Sequence, residues 1–205
     1  MKALALIGAS GHGKVVADTA IRCGWNHIIY FDDAWPTLTT HGKWPVVGNT
    51  TALAPQQQQF SAIIVAIGDN HTRLQKTLAL QKASLPLTSL IHPQAYIASD
   101  ATLADGSIIC AGAIVQPSTS IGLAGIVNTG ATVDHDCKLA EGVHISPGAH
   151  LAGSIHIGAC SWVGIGSSIN QSTTIGANVI IGAGAAVTKD IPDNIKVAGV
   201  PAKKI

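Results

Sequence analysis

The stretch Ile145-Ser-Pro-Gly-Ala-His-Leu151-Ala-Gly-Ser-Ile-His-Ile157-Gly-Ala-Cys-Ser-Trp-Val163-Gly-Ile-Gly-Ser-Ser-Ile169 carries an aliphatic residue at every sixth place. The step runs on unbroken in both directions. It includes Ile91, Ile97, Leu103, Ile109, Val115, Ile121, Val127, Val133 and Leu139 on one side, and Ile175, Ile181 and Val187 on the other. If Ile, Leu and Val fill about a third of an ordinary chain, such a run arises by chance on the order of once in 10⁸. Four residues after each aliphatic comes a mostly small one: Ala95, Ala101, Ser107, Ala113, Thr119, Gly125, Ala131, Cys137, then Val143 and Ala149. A helix, at about 3.6 residues per turn, would smear this pattern around its surface. A short strand plus a turn accommodates it, and three such hexads close a triangular coil of about 18 residues, the hexapeptide β-helix. The large side chains then stack along the axis and the small ones fill the corners. Glycines such as Gly122, Gly158 and Gly164, directly after the aliphatic position, are expected to permit tight turns at positive φ.

Outside the repeat, residues 1–90 alternate strand and helix patterns. Lys2–Ile7 reads as a buried strand, Gly8-Ala-Ser-Gly-His-Gly13 as a glycine-rich turn, and Lys14–Cys23 as a helix. His27–Phe31 reads as a strand ending in Asp32-Asp33, Ala62–Ile67 as a strand ending in Gly68-Asp-Asn70, and His71–Ala83 as a helix. This is a small α/β, Rossmann-like unit with a parallel sheet, followed from residue 91 to 205 by the all-β prism. Leu87–Ile91 reads as a strand leading straight into the prism. A glycine-rich turn between strand and helix suits a phosphate, and aspartates at the next strand end suit a ribose or base. The spacing G-x-x-G-x-G differs from the dinucleotide fingerprint, which favours a mononucleotide or sugar nucleotide over NAD(P). The competing reading is a tight turn without ligand.

Composition narrows the classes further. Charged residues are only 11% of the 205, and 12 Lys+Arg balance 11 Asp+Glu. Neither half carries a strong field: residues 1–90 hold 7 basic and 4 acidic groups (+3), residues 91–205 hold 5 and 7 (−2). That argues against nucleic acid or an anionic membrane surface as partner. No apolar run approaches a membrane span, the N-terminal apolar run is too short for a signal peptide, and Cys23, Cys110, Cys137 and Cys160 share no CxxC spacing. A cytoplasmic protein with free thiols is expected.

Among nine histidines, His144, His150 and His156 recur every six residues and resemble a metal cluster. Successive hexads lie on different faces of a coil, so these rings point about 120° apart, and a metal site is expected only if copies shared histidines. His135 differs. It lies in Val133-Asp-His-Asp-Cys137, in the outward half of its hexad, flanked by carboxylates that orient an imidazole and raise its basicity. Asn128, one hexad earlier, is expected beside the same edge. The alternative is an exposed turn histidine with acids merely adjacent.

The segment Asn128 to Gly153 resembles the active-site segment of the sialic acid O-acetyltransferase/bacillosamine N-acetyltransferase family. Gly8–Gly13, Asp32-Asp33, Ile67-Gly-Asp-Asn70 with Arg73, and the closing Val197-Ala-Gly-Val-Pro-Ala-Lys203 extend the likeness over nearly the whole chain. The resemblance implies a left-handed prism and direct acetyl transfer from acetyl-CoA to a nucleotide-activated amino sugar of the 4-amino-4,6-dideoxy type, without metal. It implies His135 as general base, with Asp136 tuning it where several relatives have Glu. His144 is implied at the thioester, the Gly153 amide as an oxyanion donor, and Ile165 and Ala183 along the coenzyme groove. Gly11, His12 and Gly13 would hold the phosphates, and Asp32, Asp33 and Gly68 the nucleoside. A homotrimer with the coenzyme between neighbouring prisms is also implied. O-acetylation of sialic acid and a non-catalytic trimeric scaffold are the competing readings; the base, the sugar and the glycan pathway are left open.

Overall fold

The computed structural model describes residues 3–205, in two compact units that part at Leu90 and Ile91. In the first, the order is β1 (Ala3–Ile7), α1 (Gly11–Arg22), β2 (His27–Phe31), β3 (Thr40–His41), β4 (Trp44–Gly48), β5 (Ala62–Val65) and α2 (Asn70–Lys82). The sheet runs β3-β4-β2-β1-β5, parallel except for the β3–β4 hairpin. All five residues of β1 are buried, as a central parallel strand requires, and so are all four of β5 at the end of the sheet. Ile7, Phe31, Leu53, Ile63 and Val65 belong to one apolar cluster of this unit.

Two sequence expectations change here, and elements appear where none was expected. The helix begins at Gly11, so Gly11, His12 and Gly13 form its first turn rather than a loop before it. A Cβ on Gly13 would come 2.6 Å from the Gly8 carbonyl oxygen, so the glycine lets the helix start directly against the end of β1. The β3–β4 hairpin and the 3₁₀ turns Thr50–Ala52 and Ala54–Gln59 had no periodic signal. The strand read at Leu87–Ile91 is two pieces: a single bridge from Leu87 to Ile63, and a short strand at Leu90–Ile91. Lys2 lies outside the described residues.

The second architecture is a stack of short strands in three sheets, running from β6 (Leu90–Ile91) to β24 (Lys203–Lys204) and parallel except where β24 closes back on β23 (Lys196–Ala198). Strands pair eighteen residues apart, as in Val127 with Ile145, Ile145 with Val163, and Val163 with Ile181. The aliphatic ladder from Ile109 to Val187 is buried in one continuous cluster, and the small corner residues Ala113, Ala131, Cys137 and Ala149 are buried with it. Each such Ile, Leu or Val contributes about 1.5–3 kcal/mol. His144, His150 and His156 fall on three different sheets, named here the His144, His150 and His156 faces.

Positive φ is distributed differently from the expectation. It recurs three residues after the aliphatic position, at Gly112, Ser118, Ala124, Gly130, Asp136, Gly142 and onward. Gly122 answers to space instead: a Cβ there would lie 2.6 Å from the carbonyl carbon of Ala140 in the next coil. Among the described residues no helix is long and apolar enough to cross a membrane.

Candidate active site

The path of the chain around the prism places the functional side chains. Each coil passes from the His144 face to the His150 face, then through the turn 134–137 to the His156 face. His135 therefore stands at the edge between the His150 and His156 faces, opposite the His144 face in the triangular section. Its side chain is 58% exposed and Nδ1 meets Asp136 Oδ2 at 2.8 Å. The shorter aspartate arm reaches the ring while Asp136 adopts φ 58. The His135 backbone N–H donates to Asp134 Oδ1 at 2.8 Å. Asp136's hydrogen bond raises the imidazole above the ordinary histidine value; desolvation opposes it, and the charges of Asp134 and Asp136 add to the rise. Since Nδ1–H donates to the carboxylate, the neutral ring keeps a lone pair on Nε2.

Gly153 lies one coil further on (153 − 135 = 18). A Cβ there would come 2.5 Å from His135 Cε1 and 2.6 Å from Nε2, so the ring rests over this glycine and any side chain at 153 would have to displace it. The eighteen-residue step in the sequence carries this signal.

His144 belongs elsewhere. It is 5% exposed on its face, its ring 4.6 Å from Trp162 at an interplanar angle of 36°. Asn128 Nδ2 lies 3.1 Å from His144 Nε2, so Asn128 accompanies His144 and not His135 as expected. Trp162 Nε1–H donates to Ser146 Oγ at 2.7 Å. Beside them runs an apolar groove of about 450 Å³ lined by Ser146, Trp162, Ile165, Ile180 and Ala183, among others. Ile165, Ile180 and Trp162 are exposed there. Ile165 and Ala183 thus share one groove with Trp162, which the sequence reading passed over. Within one prism, the His135–Asp136–Gly153 edge and this groove are on opposite sides.

In the first unit, Gly11–Gly13, Asp32-Asp33 and Gly68 gather at the carboxyl ends of β1, β2 and β5, the usual ligand end of an open parallel sheet. Asp32 is already committed: Oδ2 accepts from the Ala9 N–H at 2.6 Å and Oδ1 from Ala34 at 2.8 Å, tying the glycine-rich turn to β2. Tyr30 Oη donates to the Gly13 carbonyl at 2.7 Å, and burial pushes the phenol up to about 12, so it stays a donor. His41 Nε2 donates to the Ser10 carbonyl at 2.8 Å. Asp33 is exposed, with Thr50 N–H at 2.9 Å and Lys76 Nζ at 3.2 Å. The Thr50 backbone first, then its hydroxyl and Lys76, hold its carboxyl below the ordinary range.

Arg73 is fully buried, giving Nη1 to the carbonyls of Ile67 (3.1 Å) and Gly68 (2.9 Å) and Nη2 to Asn70 Oδ1 (2.8 Å). Burial first, and this cation second, lower His12 to about 4. At neutral pH the His12 ring is therefore uncharged. Ser10, the N-cap, makes no side-chain cap and the first turn of α1 holds no acid, so the positive end of the helix has no carboxylate of its own.

Residues 3–78 match the family model of the PglD N-terminal domain. UDP-N-acetylbacillosamine N-acetyltransferase of Bacillus subtilis (strain 168) is 35% identical over 114 residues, 54% of this chain and 52% of that protein. The match spans about half the length of that curated relative. The acetyltransferase domain of PglB from Neisseria gonorrhoeae FA1090, solved with acetyl coenzyme A, superposes with TM-score 0.95 at 45% identity, covering 100% of this chain and 99% of that one. A mutant of perosamine N-acetyltransferase from Caulobacter crescentus, solved with CoA and GDP-perosamine, gives TM-score 0.93 at 34% identity, covering 100% and 97%. The fold is thus a Rossmann-like unit followed by the left-handed parallel β-helix of the hexapeptide-repeat acyltransferases. The chain belongs to their sialic acid O-acetyltransferase/bacillosamine-type N-acetyltransferase family.

Proposed function

We propose that this protein transfers the acetyl group of acetyl-CoA to the amino group of a nucleotide-activated 4-amino-4,6-dideoxy sugar. The observation that carries the reading is the exposed His135 ring, held by Asp136 through Nδ1 and laid over Gly153. The acceptor amine attacks the thioester carbonyl, and Nε2 of His135 takes the proton the nitrogen loses. The tetrahedral oxyanion is met by the Gly153 amide, with His144 at the thioester. Collapse breaks the C–S bond, and the imidazolium returns its proton to the departing thiolate. Holding amine and thioester together supplies much of the acceleration. Ile165 and Ala183 line the coenzyme's path. The open N–H end of α1, with Gly11, His12 and Gly13, takes the sugar-nucleotide phosphates. Asp33 and Gly68 meet the nucleoside, and Asp32 serves it by fixing the turn.

The opposite placement of the two clusters supports a homotrimer. The His135 edge of one copy faces the His144 groove of the next, and three such heterologous contacts close a ring. Both substrates are cytoplasmic metabolites, and we place the protein there.

The test mixes the protein with acetyl-CoA and, separately, nucleotide-linked 4-amino sugars and sialic acid, following CoA release. Turnover on the amino sugars supports the reading; turnover only on hydroxyl acceptors overturns it in favour of O-acetylation.

A further inference from the structure

We infer that Asn128 and Trp162 are positioning residues that hold His144 neutral, with its proton on Nδ1. The argument begins at Asn128. Its Oδ1 accepts the Thr129 backbone N–H at 2.8 Å and lies 3.4 Å from the Thr129 hydroxyl. A backbone N–H can only donate, so the atom facing it is the amide oxygen, and the amide nitrogen is the atom turned to His144. That nitrogen lies 3.1 Å from Nε2 and also can only donate. Nε2 must therefore present a lone pair, which leaves the ring proton on Nδ1. Free histidine in water favours the other tautomer, so the fold selects the minor form.

Trp162 fixes the plane of the same ring. Its indole lies against His144 at 4.6 Å, tilted by 36°, and its own orientation is set by the 2.7 Å bond to Ser146. The line Ser146, Trp162, His144, Asn128 thus determines both where the imidazole lies and which nitrogen donates. Resting on the proposed activity, this leaves His144 no free lone pair with which to act as a base, since Nε2 is engaged by Asn128 and Nδ1, which carries the proton, is buried. The base is left to His135, whose proton sits on Nδ1 for a different reason and whose Nε2 is the reacting atom.

The experiment is long-range ¹H–¹⁵N correlation on ¹⁵N-histidine-labelled, ligand-free protein at mildly alkaline pH, with His144→Gln identifying the signals. An Nδ1–H pattern for His144 is expected, and an Nε2–H pattern overturns the inference. Asn128→Asp replaces the donor by an acceptor-only group and should move the proton to Nε2. It should also raise the KM for acetyl-CoA about tenfold, while that for the sugar nucleotide changes less than about twofold. Trp162→Phe should keep the tautomer with a smaller rise in the same KM. An unchanged spectrum and KM in Asn128→Asp sinks the proposal. The ligand-free spectrum needs no turnover, so failure of every acceptor to be acetylated would remove the proposed activity while the tautomer is still decided.

Discussion

His135 combines three features in one side chain: exposure, a carboxylate on Nδ1, and a glycine beneath the ring. His135→Ala should lower kcat by about 10²–10⁴-fold with little change in melting temperature, because the side chain is largely outside the core. Gly153→Ala tests the floor of the site. The new Cβ has to displace the ring, and kcat/KM should fall about 10²-fold while denaturant unfolding stays close to native. The pH dependence follows from Asp136. A base with a raised pKa becomes competent only as pH climbs through that raised value, so Asp136→Asn should move the acidic limb of the kcat/KM profile to lower pH. The linked stability has the same origin. It is fully present below the unfolded histidine value and fades as pH rises through the folded one, and the exposure of the pair keeps it small. The flanking acids made His135 legible in the sequence, and Gly153 follows from the step of eighteen. Asp32 was less legible: a carboxylate at a strand end looks the same whether it faces a ligand or, as here, the Ala9 and Ala34 amides.

At the scale of elements, glycines do two separate jobs that composition alone merges. Gly122 sits against the carbonyl carbon of Ala140 and the amide nitrogen of Glu141, neither of which can move without breaking the coil. Gly122→Ala should destabilise the prism by about 1–3 kcal/mol in urea unfolding. Gly130 has open space around its Cβ position but φ 64, and Gly130→Asn should cost well under that because Asn tolerates this region. A ranking in which Gly130→Asn is the worse of the two would refute the separation. The prism was readable because one period governs seventeen successive hexads. The β3–β4 hairpin was not: its pairing is two residues on one side and Trp44-Pro-Val-Val-Gly48 shows no apolar–polar alternation, so Gly42, at φ 59 in the two-residue turn, was a lone signal that went unread. The start of α1 was placed three residues late for a related reason. Three of the first helical residues' neighbours suggest a flexible turn, yet Gly13 is there for close packing against Gly8.

For the whole molecule, the decisive point is that one prism holds the two halves of the proposed chemistry on opposite sides. The nine residues from His135 to His144 carry the chain one and a half hexads onward, past the His156 face and onto the His144 face. Two variants then have complementary defects. His135→Ala keeps an intact groove, and His144→Ala keeps an intact edge. If copies close a ring with edge against groove, equal mixing with subunit exchange creates contacts in which a native edge meets a native groove. With random assortment half the edges and half the grooves are native, so about a quarter of the native activity should return in a mixture of two nearly inactive proteins. A site complete within one copy gives no recovery, since every copy in the mixture carries one defect. Steady-state acetyl transfer before and after co-refolding the two variants distinguishes these outcomes, and absence of recovery in a mixture verified to exchange subunits would remove the shared site.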